Sequence, residues 1–344
     1  MSAHRELLER LLGGGHLDED EAADLLRLLT DPALPPAVGG ALLAALRAKG
    51  IRAEEVRGFA KAMRALARRP VISPGAPLVD MVGTGGDGSG SFNLSTGAAL
   101  LAAALGQRVV KHGNRSISSR CGSADILEGL GLRLPLDEAG AGECLDATGF
   151  TFLFAPHFHP AMKAIAPVRQ ALGVRTVFNI LGPLTNPAEP PYHLIGAYDL
   201  EVAELIAGAL AGLPLERAYV VHGEPGWDEA TPVGPFTLFE VTPGAVTQRV
   251  RDPEEFGLAR CSAEAVKGGD AAYNAACLRD VFAGRDRGAH RDALVLGAAL
   301  VLELTGTETA PLEAAARAAE AIDSGAAARV IERIADFGER RDGR

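Results

Sequence analysis

The stretch LVDMVGTGGDGSGSFNLSTGAALLAAALGQRVVKHG (residues 78–113) contains two short apolar runs, a glycine-rich loop and a helix-forming segment. The apolar runs LVDMV and RVV predict strands, and LSTGAALLAAALG between them predicts a helix. A strand, a helix and a second strand in this order are typical of a parallel sheet covered by helices. The stretch therefore predicts an α/β fold, in which ligands bind beyond the carboxyl ends of the strands.

The same alternation of strands and helices continues downstream. Further strands are predicted at FTFLFA, HLIGAY and RAYVVHG, which start at residues 150, 193 and 217, and a helix at 200–213. The C-terminal third predicts helices alone, at about 270–283, 289–304, 311–322 and 324–338. Together these elements predict a mostly parallel central sheet flanked by helices.

The first 70 or so residues show only helical periodicity, with apolar residues three and four positions apart. Asp18 and Glu21 have the spacing of a capping box at the start of one of these helices. RRPVISPGAPL (68–78) then forms a boundary rich in proline and glycine. We expect a small all-helical domain at residues 1–72, joined in space by part of about 168–190, and a larger α/β domain at 73–344.

The composition is that of an ordinary soluble globular protein, with 344 residues, 47% hydrophobic and 23% charged. The net charge of -10 argues against a protein that binds mainly nucleic acid, but it leaves room for a local basic pocket. The four cysteines form no CxxC pair, which favours reduced thiols over zinc or disulfides. There is no apolar core of a signal peptide, and the apolar runs are too short to span a bilayer. We therefore expect a cytoplasmic protein.

The loop after the first predicted strand contains five glycines, Gly83, Gly85, Gly86, Gly88 and Gly90. They leave backbone N–H groups bare, so that an anion can approach closely. The loop leads into NLST (93–96), a helix start whose N–H groups and hydroxyls suit phosphate. The alternative is a plain tight turn with an N-cap, but five glycines together with Asp87 favour phosphate binding. The loop lacks GxxxxGK[ST], and GDGSG matches a dinucleotide fingerprint only weakly.

A second loop, KHGNRSISSRCGSAD (111–125), follows the next predicted strand. Its cations Lys111, Arg115 and Arg120 suit a polyanion such as pyrophosphate. Its polar side chains add hydrogen-bond donors; they are Asn114, Ser116, Ser118, Ser119 and Ser123. For Ser116 and Ser118 a solvated loop explains the sequence equally well, and Ser123 is also expected to cap a helix.

A third loop, HGEPGWDEATPVGP (222–235), contains the adjacent acids Asp228 and Glu229. Near bound phosphates such a pair suggests Mg²⁺, which takes few carboxylates and completes its shell with substrate oxygens. On its own, the same pair is ordinary surface sequence. His157 and His159 have no third ligand nearby, so zinc is not favoured. Because all three loops follow strands of a parallel sheet, we expect them to converge at one edge.

Two arginines, Arg169 and Arg175, lie among apolar residues and prolines in APVRQALGVRTVFNILGPLTNP (166–187). A buried arginine usually has an anionic partner. The partner is either an internal carboxylate or the carboxylate of a substrate, and the sequence leaves both open.

Together these motifs resemble the anthranilate phosphoribosyltransferase family over nearly the whole chain. The matching segments, in family order, are GTGGDG (83–88), NLST (93–96), KHGNRSISSRCGSAD (111–125), FLFAPHFHPAMKAIAPVRQALGVRTVFNILGPLTNP (152–187), VVHGEPGWDE (220–229) and GGDAAYNA (268–275). The resemblance implies transfer of phosphoribose from phosphoribosyl pyrophosphate (PRPP) to the amine of anthranilate, the second step of tryptophan synthesis from chorismate, with Mg²⁺ as cofactor. It also implies a fold like that of nucleoside phosphorylases and phosphoribosyltransferases, and a homodimer formed through the helical domains.

The roles of family residues carry over to matching positions. The resemblance implies that Ser95, Asp228 and Glu229 hold the metal. It implies catalytic roles for Asn114 and Arg169, which contact anthranilate, with His112 close by. The implied substrate contacts are Gly83, Gly86, Asp87, Ser91, Asn93, Ser95, Thr96, Lys111, His112, Gly113, Asn114, Arg115, Ser116, Ile117, Ser118, Ser119, Ser123 and Arg169. Departures from the family pattern are Ser91, Cys121 and Tyr273, and none removes an essential group.

Two other functions are weighed against this one. A pyrimidine nucleoside phosphorylase-like enzyme has a similar fold and glycine loop. The motif KHGNRS and the third loop (222–235), which we call the acidic loop, favour the transferase. A non-catalytic, nucleic-acid-binding relative of the same fold would show a basic stripe and a damaged metal loop, whereas this chain is acidic and keeps WDE. We therefore expect PRPP and anthranilate as small-molecule partners, and neither nucleic acid nor a membrane.

Overall fold

The computed structural model describes residues 3–115 and 120–342. Its first four helices are α1 (Ala3–Leu12), α2 (Glu19–Leu29), α3 (Pro36–Ala48) and α4 (Ala53–Ala65). The capping box predicted at the start of α2 is confirmed. The Glu21 N–H donates to Asp18 Oδ1 and the Asp18 N–H donates to Glu21 Oε2, both at 2.9 Å.

Seven strands form one sheet in the order β3-β2-β1-β4-β5-β6-β7. The strands are β1 (Leu78–Gly83), β2 (Arg108–Gly113), β3 (Phe150–Phe154), β4 (Tyr192–Gly196), β5 (Arg217–Gly223), β6 (Phe236–Thr242) and β7 (Ala245–Arg251). Pairing is parallel from β3 through to β5, whereas β5–β6 and β6–β7 are antiparallel. The predicted mostly parallel sheet is therefore confirmed.

The antiparallel hairpin β6–β7 is missing from the sequence-based prediction. FTLFEV and AVTQRV flank the turn TPG (242–244), where Gly244 has φ +76°. Alternation with a period of two around a proline-glycine turn is the signal of a hairpin. Every residue of β7 except Arg251 is exposed, so no buried apolar run marks the strand.

Further helices connect the parallel strands and then cover the sheet. They are α5 (Leu94–Ala104), α6 (Ser123–Gly129), α7 (Glu138–Thr148), α8 (Ala155–Phe158), α9 (Met162–Leu172), α10 (Phe178–Leu181), α11 (Leu200–Leu210), α12 (Ala271–Phe282), α13 (Ala289–Leu304), α14 (Pro311–Asp323) and α15 (Ala326–Asp342). Short 3₁₀ segments occupy Gly182–Leu184, Pro253–Phe256 and Ala263–Val266. Among the described residues, no helix combines the length and the apolar character needed to cross a bilayer.

Apolar side chains form one core on each face of the sheet. On one face, α5, α13 and α15 bury residues such as Leu100 and Val330. On the other face, the N-terminal helices share a core with α9, α10 and α11, in which Phe59 and Phe178 meet edge to face. Apolar side chains between residues 165 and 184 thus pack with the N-terminal helices. The division of the chain at residue 72 stays a prediction.

Helix α5 lies between the sheet and α13 and is buried on every side from Thr96 to Ala103. Gly97 allows α13 to approach closely, since a Cβ there would lie 2.7 Å from Leu294 Cδ2. This tight packing gives the N-terminus of α5 a fixed position at the carboxyl edge of the sheet.

Candidate active site

Four parallel strands end in glycine at the same edge of the sheet; the glycines are Gly83 of β1, Gly113 of β2, Gly196 of β4 and Gly223 of β5. Gly83 lies directly opposite Gly196 in the sheet register. The loops that follow β1, β2 and β5 therefore start side by side, as the alternation of strands and helices predicts. The glycine loop, the second loop and the acidic loop can act on one ligand.

The acidic loop lies directly on the strand ends. A Cβ at Gly83 would lie 2.3 Å from Asp228 Oδ2, and one at Gly196 would lie 1.6 Å from the Asp228 carbonyl oxygen. Neither position has room for a side chain. The two glycines are therefore needed for the close approach of Asp228, in addition to any contact that Gly83 makes with a ligand.

Asp228 and Glu229 also hold the neighbouring loops together. Asp228 Oδ2 accepts the N–H of Gly85 at 2.6 Å, and Glu229 Oε1 accepts the N–H of Ser95 at 3.2 Å. The Asp228 N–H donates to Asp87 Oδ2 at 3.4 Å. The acidic pair predicted from the third loop thus contacts both the glycine loop and the start of α5.

The environment of the two acids disfavours their charged forms. Burial, with a contribution from nearby Asp87, raises the pKa of Asp228 to about 7. Burial, with a contribution from Asp228, raises the pKa of Glu229 to about 8. Within residues 3–115 and 120–342, no three His, Cys, Asp or Glu side chains form a complete metal cluster. Asp228 and Glu229 are two hard oxygen donors, and Mg²⁺ binds through few carboxylates and further oxygens from a substrate.

Lys111 lies within β2 rather than in the loop that follows this strand, and its side chain is buried. Its Nζ donates to the carbonyl oxygen of Met81 and lies 3.2 Å from Ser95 Oγ. Burial lowers the pKa of Lys111, and the carboxylates around it, Glu229 among them, act in the opposite direction. The lysine nitrogen therefore lies beside the acidic pair, whose negative charge favours the protonated form of the lysine.

Asn93, Ser95 and Thr96 stand at the start of α5, as predicted. The Asn93 side chain makes no capping bond; it donates instead to the carbonyl oxygen of Cys121 at 3.2 Å. In the preceding loop, Ser89 Oγ lies 3.0 Å from both Asp87 Oδ1 and Ser91 Oγ. The predicted phosphate ligands of the glycine loop are thus linked to one another before any ligand binds.

The prediction that Ser123 caps a helix is wrong. The chain enters α6 one residue earlier, at Gly122, whose N–H donates to Asp125 Oδ2 at 2.8 Å. Ser123 is the first helical residue, and its hydroxyl accepts from Thr96 Oγ1 at 3.1 Å. The end of the second loop therefore contacts the first turn of α5.

His112 is a buried residue of β2. Its Nδ1 lies 3.1 Å from the carbonyl oxygen of Gly182, which can only accept, so Nδ1 carries the hydrogen. Burial, with a smaller effect of His159, lowers the pKa of His112 to about 3. The imidazole is neutral at pH 7, and within the described part of the chain its Nε2 has no hydrogen-bond partner.

The charge predicted for the second loop is neutralised at Arg115. Its guanidinium pairs with Glu128 at 2.6 Å and Asp125 at 3.0 Å, and these acids raise the pKa of Arg115. Asn114 Oδ1 accepts the Arg115 N–H at 2.7 Å. Contact of Arg115 with a substrate stays a prediction. The other predicted contacts of this loop, Ser116, Ile117, Ser118 and Ser119, lie outside the described residues.

Arg169 and Arg175 have different surroundings. Arg169 is half-buried on α9, 5.0 Å over the ring of Phe178, and burial alone lowers its pKa, since no described carboxylate lies close enough to act on it. Arg175 is exposed rather than buried; it lies 3.8 Å over the Tyr198 ring and donates to the Gly86 carbonyl oxygen at 2.5 Å. An internal salt bridge is found for neither arginine among the described residues. Arg169 is therefore the better candidate for a substrate carboxylate.

Sequence reasoning missed a buried acid behind the strand ends. Asp80 Oδ1 accepts the N–H of His112 at 3.2 Å, and Oδ2 accepts from Asn186 Nδ2 at 2.8 Å. Burial raises the pKa of Asp80 to about 6. The aspartate inside the apolar run LVDMV is the signal that could have found this group, because a charged residue in a buried strand needs partners.

Comparisons with known proteins agree with this architecture. Residues 75–328 match the glycosyl transferase family, a/b domain, and residues 5–67 match the glycosyl transferase family, helical bundle domain. The anthranilate phosphoribosyltransferase of Desulforudis audaxviator is 46% identical over 98% of this chain and 96% of its own length. That of Parasynechococcus marenigrum is 48% identical over 93% of this chain and 91% of its own.

Solved structures lead to the same family. The crystal structure of anthranilate phosphoribosyltransferase from Thermus thermophilus matches with a TM-score of 0.90 and 44% identity, and the match covers 97% of this chain and 99% of that one. The Saccharomyces cerevisiae enzyme in complex with PRPP and Mg matches with a TM-score of 0.88 and 28% identity, covering 98% of each chain. Given this identity over nearly the full length of its relatives, the chain belongs to the anthranilate phosphoribosyltransferase family.

Proposed function

We propose that this chain transfers the phosphoribosyl group of PRPP to the amino group of anthranilate, giving N-(5-phosphoribosyl)anthranilate and pyrophosphate in the second step of tryptophan synthesis from chorismate. The observation that carries the proposal is the acidic pair Asp228 and Glu229, which lies on the glycine strand ends and contacts both the glycine loop and α5. The relatives support it: yeast structures contain PRPP with Mg in one case and 4-fluoroanthranilate in another. They favour the transferase over the phosphorylase-like and nucleic-acid-binding alternatives.

Ser95, Asp228 and Glu229 would hold Mg²⁺. The donor set fits, because all three offer hard oxygen ligands and the two acids ionise more readily beside a cation. When bound, Mg²⁺ supplies positive charge to the departing pyrophosphate.

The protein's own groups bind PRPP around this position. The N–H groups of Gly85 and Ser95 already donate to Asp228 and Glu229, and the remaining N–H groups of the glycine loop and of the start of α5 attract the phosphate oxygens. The residues that we assign to PRPP are Gly83, Gly86, Asp87, Ser91, Asn93, Ser95, Thr96, Lys111 and Ser123, with the backbone of residues 111–119. The buried ammonium of Lys111 offsets part of the negative charge that PRPP brings.

On the acceptor side, Arg169 binds the anthranilate carboxylate, next to Asn114 and Gly83. The aromatic amine is neutral at pH 7, so it attacks the ribose carbon without prior deprotonation. The new C–N bond forms as the bond from that carbon to the pyrophosphate oxygen breaks, and the nitrogen then releases a proton. Water takes up this proton, because an imidazole whose pKa is lowered to about 3 is a weak base, and the neutral His112 helps to orient the amine. Most of the acceleration comes from positioning and from stabilising the leaving group.

We also propose that the chain works in the cytoplasm as a homodimer formed through its helical domains. Leu12 at the end of α1 is 66% exposed and Leu66 after α4 is 38% exposed, so each is an apolar side chain of the helical domain that a second copy would cover. The molar mass from light scattering tests the dimer.

The proposed reaction is tested by mixing the purified chain with PRPP, Mg²⁺ and anthranilate and following the loss of anthranilate fluorescence. Loss is expected only when all three are present. It should vanish in the double variant Asp228→Asn/Glu229→Gln, which keeps the shape of both side chains. The exposed Glu224 of the same loop provides the matched control, since Glu224→Gln should keep full activity.

Two outcomes would contradict the proposal. A chain that binds PRPP but leaves anthranilate fluorescence unchanged does not use this acceptor. Release of a pyrimidine base from a nucleoside in the presence of inorganic phosphate, without loss of anthranilate, would instead support the phosphorylase-like alternative.

A further inference from the structure

Asn274 on α12 is only 1% exposed and lies in GGDAAYNA (268–275), a motif to which the proposed chemistry assigns no role. Its Oδ1 accepts the N–H of Gly269 at 2.7 Å, and its Nδ2 donates to Asn93 Oδ1 at 2.8 Å. Asn93 Nδ2 donates in turn to the carbonyl oxygen of Cys121 at 3.2 Å. We refer to this chain of three hydrogen bonds, from Gly269 through Asn274 and Asn93 to Cys121, as the amide relay.

The amide relay can run in one direction only. It begins at the backbone N–H of Gly269, which can only donate, and it ends at the backbone carbonyl of Cys121, which can only accept. Turning either side-chain amide by half a rotation would place two donors or two acceptors against each other. The backbone therefore fixes Asn93 with its nitrogen on the side of Cys121. One hydrogen of that nitrogen is used by the carbonyl, and the second is left for a ligand.

Backbone contacts place the amide relay between the glycine loop and the second loop. The Phe92 N–H donates to the Val266 carbonyl oxygen at 2.9 Å, and the Gly268 N–H donates to the Gly90 carbonyl oxygen at 3.0 Å. A Cβ at Gly268 would lie 2.8 Å from Phe92 Cα, so the two segments are in direct backbone contact. Residues 266–269 thus lie along the end of the glycine loop, and Cys121 belongs to the end of the second loop. Both loops are joined to α12 through one buried side chain.

We propose that Asn274 is a positioning residue for PRPP: it orients the Asn93 amide so that nitrogen rather than oxygen faces the phosphate groups. The inference rests on the proposed function, since it takes PRPP as the ligand of these loops. An N–H directed at a phosphate oxygen attracts it, whereas an amide oxygen in that place repels it. Asn93 directly precedes the first turn of α5, where the helix N–H groups also favour an anion.

Asn274→Asp keeps the shape of the side chain and reverses the relay. One carboxylate oxygen still accepts from Gly269, but the other now faces Asn93 Oδ1. Asn93 has to turn its nitrogen toward the new carboxylate. Its oxygen then faces the Cys121 carbonyl and the bound phosphate, and both contacts become repulsive.

The experiment measures the dissociation constant of PRPP in the presence of Mg²⁺ from the fluorescence of Trp227, the single tryptophan of the chain, which directly precedes Asp228. Asn274→Asp should weaken PRPP binding about tenfold or more, as expected for a lost hydrogen bond to a charged group. The kcat at saturating PRPP and the KM for anthranilate should stay close to wild type. Asn93→Ala should weaken PRPP binding to a similar extent, and adding Asn274→Asp to it should weaken binding by a smaller factor than Asn274→Asp does alone, because only the charge of the new carboxylate still acts.

Asp270→Ala is the matched control on the same helix. Asp270 Oδ1 caps α12 by accepting the Tyr273 N–H at 2.9 Å, outside the amide relay. Its loss should lower the melting temperature and leave PRPP binding unchanged. If Asn274→Asp fails to fold, Asn274→Ala is used instead, because it releases the Asn93 amide without adding charge. This variant should weaken PRPP binding about threefold. In a protein that already carries Asn93→Ala, it should leave PRPP binding unchanged.

Wild-type affinity in whichever Asn274 variant folds would overturn the proposal, as would effects that multiply in the double variant. If the wild-type chain binds PRPP but does not consume anthranilate, only the proposed acceptor is rejected, because the PRPP affinities of the variants still test the amide relay. A wild-type chain without affinity for PRPP would overturn both.

Discussion

Replacing Gly196 with alanine should disable the metal site without changing any of its ligands. The new Cβ would lie 1.6 Å from the carbonyl oxygen of Asp228, and ordinary contact begins at 3.4 Å, so that oxygen would have to withdraw by about 1.8 Å. The atoms cannot give way at the strand, because Gly196 is held in the sheet by its pairing with Gly83. The acidic loop has to lift, and the Asp228 carboxylate moves with its backbone.

The expected loss is large. A misplacement of about 1 Å at a reacting centre can lower the rate roughly 100-fold, so we expect Gly196→Ala to lower kcat/KM at least that far. The overpacked edge should also cost about 1–3 kcal/mol of unfolding free energy. The Mg²⁺ concentration that gives half-maximal activity should rise, because the displaced Asp228 no longer completes the site.

The assay is the anthranilate fluorescence assay over a range of Mg²⁺ concentrations, with urea unfolding of the same samples. Gly40→Ala is the matched control: its Cβ would meet Val168 Cγ1 at 3.7 Å, an ordinary contact, in the interior of α3. That variant should keep full activity. Activity of Gly196→Ala within threefold of wild type, with an unchanged Mg²⁺ requirement, would refute the reasoning.

Three further predictions follow from the site. Without Mg²⁺ the pKa values of Asp228 and Glu229 are raised to about 7 and about 8, so the folded protein keeps protons on these acids that the unfolded chain has lost. The melting temperature of the wild type should therefore fall relative to that of Asp228→Asn/Glu229→Gln as pH rises from about 5 to about 8, and calorimetry of both proteins measures this difference. Arg169→Ala should raise the KM for anthranilate about tenfold or more and barely change the KM for PRPP, because a charged hydrogen bond of roughly 1.5–3 kcal/mol is lost; equal rises for both substrates would defeat the assignment. Arg175→Ala removes the donor to the Gly86 carbonyl and the contact with Tyr198, both of which hold the glycine loop in place. Steady-state kinetics should therefore show a KM for PRPP about three- to tenfold higher. A KM for PRPP equal to that of wild type would contradict this role of Arg175.

The sequence predicted those parts of the molecule in which local pattern and tertiary structure agree. The strand, glycine loop and helix of residues 78–104 are an example, because α5 is apolar on every side and its position is set by the helix and the sheet around it. The hairpin β6–β7 was missed because its outer strand is exposed. Only the alternation of apolar and polar residues marks this strand in the sequence.

The site was predicted in its position but not in its internal contacts. The acidic pair could be assigned to the edge of the sheet, since it follows a strand. That it lies on Gly196 depends on a contact between residues far apart in sequence, which no local pattern records. The same limit applies to Arg115, whose charge is taken up by Glu128 on α6, and to Asn274, which a motif marked without indicating what it contacts.

The buried Lys111 has a consequence for how tightly the pocket holds its ion. Burial disfavours the charged form of this lysine and lowers its pKa, whereas the carboxylates of Asp80, Glu229 and Asp228 favour the charged form. A cation bound by Asp228 and Glu229 takes up negative charge that otherwise stabilises the ammonium, so the ion and the lysine compete for the same two carboxylates. A residue hidden inside a strand, and no ligand itself, thereby tunes the affinity of the site for its ion.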